Sequence, residues 1–201
     1  PGAAPAAVFR GVMTLNQLLL ADPREAELGR IPAVKIDDAP RFALRALMID
    51  PARNFLPVKD VKRFIEVMAK YKYNALQLHL TDDQGWRIAL KSYPKLASPQ
   101  SYSAADIREI VAYAAEHYID VIPELDIPGH TAAFLSVYPE LGCTHLLNAP
   151  IKVGETVNRM LCAANDTVYT VYNQILREVA ALFPSQFIHL GGDEAAVPAN
   201  W

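Results

Sequence analysis

The sequence predicts an α/β fold made of repeated parallel βα units, and two observations carry that prediction. From Arg41 onward, short apolar runs alternate with amphipathic helical stretches, the pattern of buried strands joined by crossover helices. Each apolar run also leads into ionisable residues: Asp50 and Arg53 after the first, Asp82 and Asp83 after the second, Asp126 and His130 after the third, Asp193 and Glu194 after the fourth. In parallel α/β folds the carboxyl ends of the strands face one way, so these side chains should gather around one crevice. The spacing leaves two architectures open, a doubly wound sheet and a (β/α)8 barrel.

The elements follow in order. Residues 9–20 read as a helix, because Val12, Leu15, Leu18 and Leu19 recur near helical spacing until Ala21, Asp22 and Pro23 interrupt them. A polar linker leads to the first apolar run, residues 43–49. Residues 58–71 place Val61, Phe64, Ile65 and Met68 on one face, with Lys59, Lys62, Arg63, Glu66 and Lys70 largely opposite, as an amphipathic helix does. Residues 75–80 read as a buried strand. Ser103 with Asp106 resembles a capping box that opens a helix running through His117. Residues 121–124 return to strand, and an excursion over residues 128–165 holds both cysteines. A helix bearing Val168, Val171, Tyr172, Ile175, Leu176 and Val179 precedes the fourth apolar run, residues 187–190.

Composition narrows the function classes. At 52% hydrophobic and 20% charged, the 201 residues can bury a sizeable core. A net charge of -3 supplies no basic field, so a nucleic-acid partner is not expected. No apolar run reaches the roughly 18 residues of a membrane span, and residues 1–8 lack the regions of a signal peptide. Gly191-Gly192 lacks the context of a phosphate-binding loop and no H-E-x-x-H motif occurs, so neither cofactor nor metal is expected. Cys143 and Cys162 could close one loop or be two buried thiols, and spacing does not separate these readings.

The adjacent carboxyls Asp193 and Glu194 suggest acid/base chemistry, since neighbouring acids push one pKa up and make a proton donor near neutral pH. On a regular strand they would point to opposite faces, but the two glycines before them allow an irregular backbone that can bring both into the pocket. Adjacency makes them poorly placed to flank a glycosidic bond as acid and opposing nucleophile. Something else should attack the anomeric carbon. Alone in their strands, His79 and His189 read as satisfied core histidines, Asp83 as a loop cap and Trp86 as packing, while Arg45 and Asp50 read equally as a structural ion pair or as groups with a substrate role.

Four ordered motifs resemble those of family 20 glycoside hydrolases. They are His189-Leu190-Gly191-Gly192-Asp193-Glu194, His79-Leu80-Thr81-Asp82-Asp83-Gln84-Gly85-Trp86-Arg87, Glu124-Leu125-Asp126-Ile127-Pro128-Gly129-His130-Thr131, and residues 45–55. One departure is visible: Arg53-Asn54 stands where the family usually has Arg-His. The resemblance implies a (β/α)8 TIM barrel, of which this chain supplies roughly the first four βα units over residues 41–201. Residues 1–40 would be the end of a preceding small α/β domain and a linker. It implies exo-acting, retaining hydrolysis of terminal N-acetylhexosamine from oligosaccharides or glycoconjugates, as in chitin breakdown, with the substrate's own 2-acetamido oxygen as nucleophile. By similarity, Asp193 orients the acetamido nitrogen, Glu194 is the acid/base, Arg53 binds sugar hydroxyls, and Asp82 and His130 support Glu194 with Asp126 behind them. Some secreted members have cysteines bracketing the same excursion, which implies a Cys143–Cys162 disulfide and an extracytoplasmic location. The remainder of the barrel is an expected partner, and the 201 residues alone are expected to be inactive. A carbohydrate-binding module without turnover, or a barrel glycosidase with a protein nucleophile, are the alternatives.

Overall fold

The computed structural model describes residues 4–21, 27–31, 33–143, 152–154 and 160–195. Its centre is a parallel sheet. Strand β1 (Ala46–Ile49) pairs in parallel with β2 (Ala75–Asp82), and β2 pairs in parallel with β4 (Asp120–Leu125) on its other side. Residues 187–190 extend the order beyond β4: His189 N–H donates to Pro123 O, and Leu125 N–H donates to His189 O. The backbone forms one parallel bridge there, between Glu124 and His189, rather than the full strand the sequence predicts. Among the described residues, parallel strands that succeed one another are thus neighbours in the sheet, without the reversal of strand order that marks a doubly wound fold.

Helices α2 (Val58–Lys70), α3 (Ala104–Glu116) and α5 (Asp166–Leu182) connect the strands, as the apolar stripes of the first and last and the capping box of the second predict. The α2 helix buries Val61, Ile65, Met68 and Ala69, whereas Phe64, expected on the same face, is 39% exposed. The capping box opening α3 is present: Ser103 Oγ accepts from Asp106 N–H, and Ser103 N–H donates to Asp106. α5 buries Val168, Tyr172, Ile175 and Val179. The N-terminal helix α1 (Pro5–Ala21) sets Phe9 against His117 and Tyr118. The sequence gives no warning of two smaller elements: β3 (Gly85–Trp86), a two-residue antiparallel return along the end of β2, and the single turn α4 (Ala132–Leu135).

Leu76, Leu78, Leu80, Ile88, Ile107, Ile110, Leu125 and Ile175 are fully buried between sheet and helices. The sheet's two lateral margins are different. Leu47 and Met48 of β1 are 36% and 49% exposed, and Phe187 and Leu190 at the opposite margin are 65% and 42% exposed. Cys143 and Cys162 form a disulfide with Cα atoms 4.7 Å apart, tying the start of the excursion to the approach to α5.

The turn after residues 187–190 depends on glycine. Gly191 (φ 63°) and Gly192 (φ 96°) occupy the left-handed region, as the irregular backbone expected before Asp193 requires. A Cβ on Gly191 would lie 1.9 Å from Asp126 Oδ1, so Gly191 is also the only residue that leaves room for that carboxylate. Gly11, within α1, has open space around it. Chemical denaturation should therefore separate the two positions. Gly191→Ala should cost about 1–3 kcal/mol through overpacking and strain, whereas Gly11→Ala should gain about 0.4–1 kcal/mol. Equal effects would contradict the tight approach at Gly191.

Candidate active site

The carboxylate of Asp82, at the end of β2, is the hub of the site. Its side chain is fully buried, so each oxygen needs a donor. Oδ2 lies 2.7 Å from an Arg53 guanidinium nitrogen and 2.9 Å from His79 Nε2. Oδ1 accepts the Asp83 backbone N–H at 2.6 Å and lies 3.3 Å from His130 Nδ1. Burial by itself would raise the Asp82 pKa. The hydrogen bonds from His79 and the Asp83 backbone, with the charges of His130 and Arg53, outweigh it and hold the carboxyl below its usual value.

The loop after β1 delivers Arg53 to this hub, where Asp50 grips it a second time. Asp50 Oδ1 accepts the Arg53 backbone N–H at 2.9 Å and Oδ2 accepts its side chain at 2.7 Å. The hydrogen bond that the guanidinium donates to Asp50 is the main reason that its pKa is raised. This corrects the expected pairing of Asp50 with Arg45, whose side chain instead donates to the carbonyls of Phe42, Ala43 and Lys72. The same loop is held from beneath by Arg87, which sequence reasoning passed over. Its guanidinium donates to Pro51 O and Ala52 O at 2.9 Å each and to Gln100 O at 3.0 Å.

The loop after β4 carries His130 across to Glu194. His130 Nε2 lies 3.4 Å from Glu194 Oε2, a charge-pair distance whose geometry is not that of a hydrogen bond. His130 (φ 52°) and Glu194 (φ 47°) are both non-glycine residues in the left-handed region, strain of the kind that collects at functional sites. Asp83, as expected of a cap, accepts the Ala132 N–H at 2.9 Å and so pins the turn that follows His130. Trp86 is packing, buried against Phe134 with ring centroids 5.7 Å apart.

Asp126 sits beneath the acidic pair. Its Oδ1 accepts Gly192 N–H at 3.0 Å, and its backbone N–H donates to Thr81 Oγ1 at 3.0 Å. Burial, opposed by the Gly192 bond and His130 and assisted by Asp193, raises its pKa to about 6. The donor atoms of Asp82, Asp126 and His130 lie within 4.8 Å of one another, as do those of His130, Asp193 and Glu194. Every candidate residue therefore falls in one connected cluster, while Glu194 remains 79% exposed at its mouth.

Two further residues enter the cluster that sequence reasoning did not place there. His79 is buried, as a core histidine should be, but its partners are Asp82 and Glu124, the latter 3.1 Å from Nδ1. His189 is not a core residue: its side chain is 48% exposed, and Nδ1 lies 3.2 Å from the other oxygen of Glu124. The available signal was Glu124 itself, a buried acid in an apolar strand, which requires partners. His79, Glu124 and Asp126 form a third group whose donor atoms lie within 4.8 Å. In the two groups that contain Asp126 the atoms already engage one another or the backbone, so a cation would have to displace those contacts.

The sequence of residues 42–201 matches the model of glycosyl hydrolase family 20, catalytic domain. A beta-hexosaminidase of Akkermansia muciniphila is 41% identical over 202 residues, covering 92% of this chain and 40% of that protein. The solved family 20 beta-N-acetylhexosaminidase of Streptomyces coelicolor A3(2) superposes with a TM-score of 0.81 at 41% identity, covering 94% of this chain and 42% of that one. A mutant Streptomyces plicatus beta-hexosaminidase in complex with product (GlcNAc) superposes with a TM-score of 0.80 at 41% identity, covering 93% and 40%. The chain thus spans about 40% of the length of the relatives it matches, and its sheet is part of their TIM barrel. With the match covering most of its length and the motif residues converging as described, this chain belongs to glycosyl hydrolase family 20.

Proposed function

We propose that this chain carries the acid/base half of a β-N-acetylhexosaminidase site, which removes terminal non-reducing N-acetylhexosamine from β-linked glycosides. The observation that carries this reading is the continuous line from Arg53 through Asp82 and His130 to Glu194, with Asp193 in the same cluster. The names of the relatives and the GlcNAc in one solved structure support the substrate class.

The acetamido carbonyl oxygen attacks the anomeric carbon as the glycosidic bond breaks, and Glu194 gives its proton to the departing oxygen. Asp193 accepts a hydrogen bond from the acetamido N–H and stabilises the positive charge of the oxazolinium that forms. Glu194, now a carboxylate, takes a proton from the water that opens this ring, which restores the acid and retains the anomeric configuration. His130, anchored on Asp82, holds Glu194. Asp126 holds the turn that presents Asp193, and Arg53 offers its guanidinium fork to sugar hydroxyls. The exposed margins of the sheet and the exposed Glu194 fit a site that the rest of a barrel encloses, so the assays below use the complete enzyme.

A chromogenic N-acetylglucosaminide should be cleaved and its 2-hydroxy counterpart should not. Equal cleavage would point to a protein nucleophile, and cleavage of neither to a binding module. Glu194→Gln should lower kcat by about 10²- to 10⁴-fold, the usual worth of a general acid, and near-normal rates at every pH would remove it from that role. Export from the cytoplasm is also proposed, on the strength of the Cys143–Cys162 disulfide. Thiol titration of the denatured, unreduced enzyme should find neither cysteine free, and reduction should cost about 3 kcal/mol of stability. Free thiols at both positions would withdraw the support for export.

A further inference from the structure

We infer that His79 is a positioning residue for this reaction, a buried doubly donating imidazolium clamped between Asp82 and Glu124 that holds the Asp82 carboxylate ionised and turned toward His130 and Arg53. The inference rests on the proposed activity and extends its apparatus one layer inward. Geometry carries it. His79 Nε2 is 2.9 Å from Asp82 Oδ2, and Nδ1 is 3.1 Å from Glu124 Oε2. A neutral imidazole has one N–H, and would leave a lone pair facing a carboxylate oxygen in a buried site. With Asp82 and Glu124 both held below their ordinary pKa values and so ionised, the doubly protonated ring satisfies both contacts.

The fold makes the clamp. His79 and Glu124 are register partners across the β2–β4 ladder. His79 and Asp82 are three residues apart, which on a regular strand would set them on opposite faces. The register shift between His79 and Thr81 breaks that alternation, so both side chains meet on one side. Around the ring, Gln77 Nε2 donates to Glu124 Oε2 at 2.6 Å, and His189 faces Glu124 Oε1. Asp50, from the loop after β1, adds negative charge, while Arg53 and His130 face Asp82 from the other side. Burial opposes the cation, but the bonds to Asp82 and Glu124 prevail and raise the His79 pKa to about 10.

Removing the cation frees Asp82 to take up a proton at higher pH, which weakens its hold on His130. In the complete enzyme, His79→Gln should therefore lower kcat about 10- to 100-fold, as loss of a residue that orients a catalytic group does. The acid limb of its pH–rate profile should also move to higher pH. Glu124→Gln should move that limb in the same direction by less. Ring-¹⁵N histidine spectra of the wild type, with His79 assigned by its absence in the variant, should show both nitrogens protonated through pH 8. A folded His79→Gln enzyme with wild-type kcat and pH profile would overturn the inference, as would a His79 ring that loses its proton near the ordinary value of 6.5. If the variant does not fold, Glu124→Gln supplies the comparison spectrum and the spectra decide. A wild type that cleaves no N-acetylhexosaminide but shows the protonated ring would overturn the proposed activity and leave the clamp standing.

Discussion

The buried carboxylate of Asp82 is the constraint on which the rest of the site depends. An ionised acid with no exposed side-chain surface survives only if its oxygens are fully engaged, and removing one partner from such a set is far costlier than losing a surface pair. Its partners come from the loop after β1, from β2 itself and from the loop after β4. Satisfying one side chain therefore fixes how three strand ends stand to one another. The convergence that results is a consequence of charge compensation as much as of the sheet. Arg87 and Asp83 extend the same logic to the backbone, since each ties a functional loop to buried polar groups.

Much of this was legible in the sequence, for identifiable reasons. Apolar runs ending in ionisable residues located the cluster, because a parallel sheet sends all those ends one way. The Ser103–Asp106 box and the stripe from Val168 to Val179 marked helices that form as read. Gly191-Gly192 signalled an irregular turn, and both residues take positive φ. What escaped was cross-strand information. Nothing in a single strand shows that His79 will face Glu124, since that depends on register between β2 and β4. Nor does spacing show that Asp50 turns to Arg53 while Arg45 turns to backbone carbonyls. His189 read as core because its neighbours are apolar, yet it lies at a margin of the sheet where apolar residues are also exposed.

The margins explain a contrast within the site itself. Asp82, Asp126, His79 and Glu124 are buried because they lie on or directly after β2 and β4, the two strands with neighbours on both sides. Glu194 follows residues 187–190, where neighbours occur on one side only among the described residues, and it is exposed accordingly. The buried charges around Asp82 thus find partners within this chain, whereas the residue proposed to exchange protons with substrate is presented but not enclosed. In the proposed reaction enclosure matters, because the electrostatic help assigned there to Asp193 and His130 grows as water leaves.

Linkage sets a pH window for the cluster. Asp82 and Glu124 have folded-state pKa values below their ordinary 3.8 and 4.5, so their stabilising contribution is present above those values and is lost as pH falls through the lowered ones. His79 is raised from 6.5 to about 10, so its contribution is whole below 6.5 and is lost as pH rises toward 10. Asp126 is raised from 3.8 to about 6, so across that interval the folded state binds the extra proton and stability declines as pH rises. The first pair therefore loses its effect in strong acid, Asp126 between pH 3.8 and about 6, and His79 between pH 6.5 and about 10. The charge network is most secure in mildly acidic solution, where Asp82 and Glu124 are ionised, His79 is a cation, and Asp126 still holds its proton.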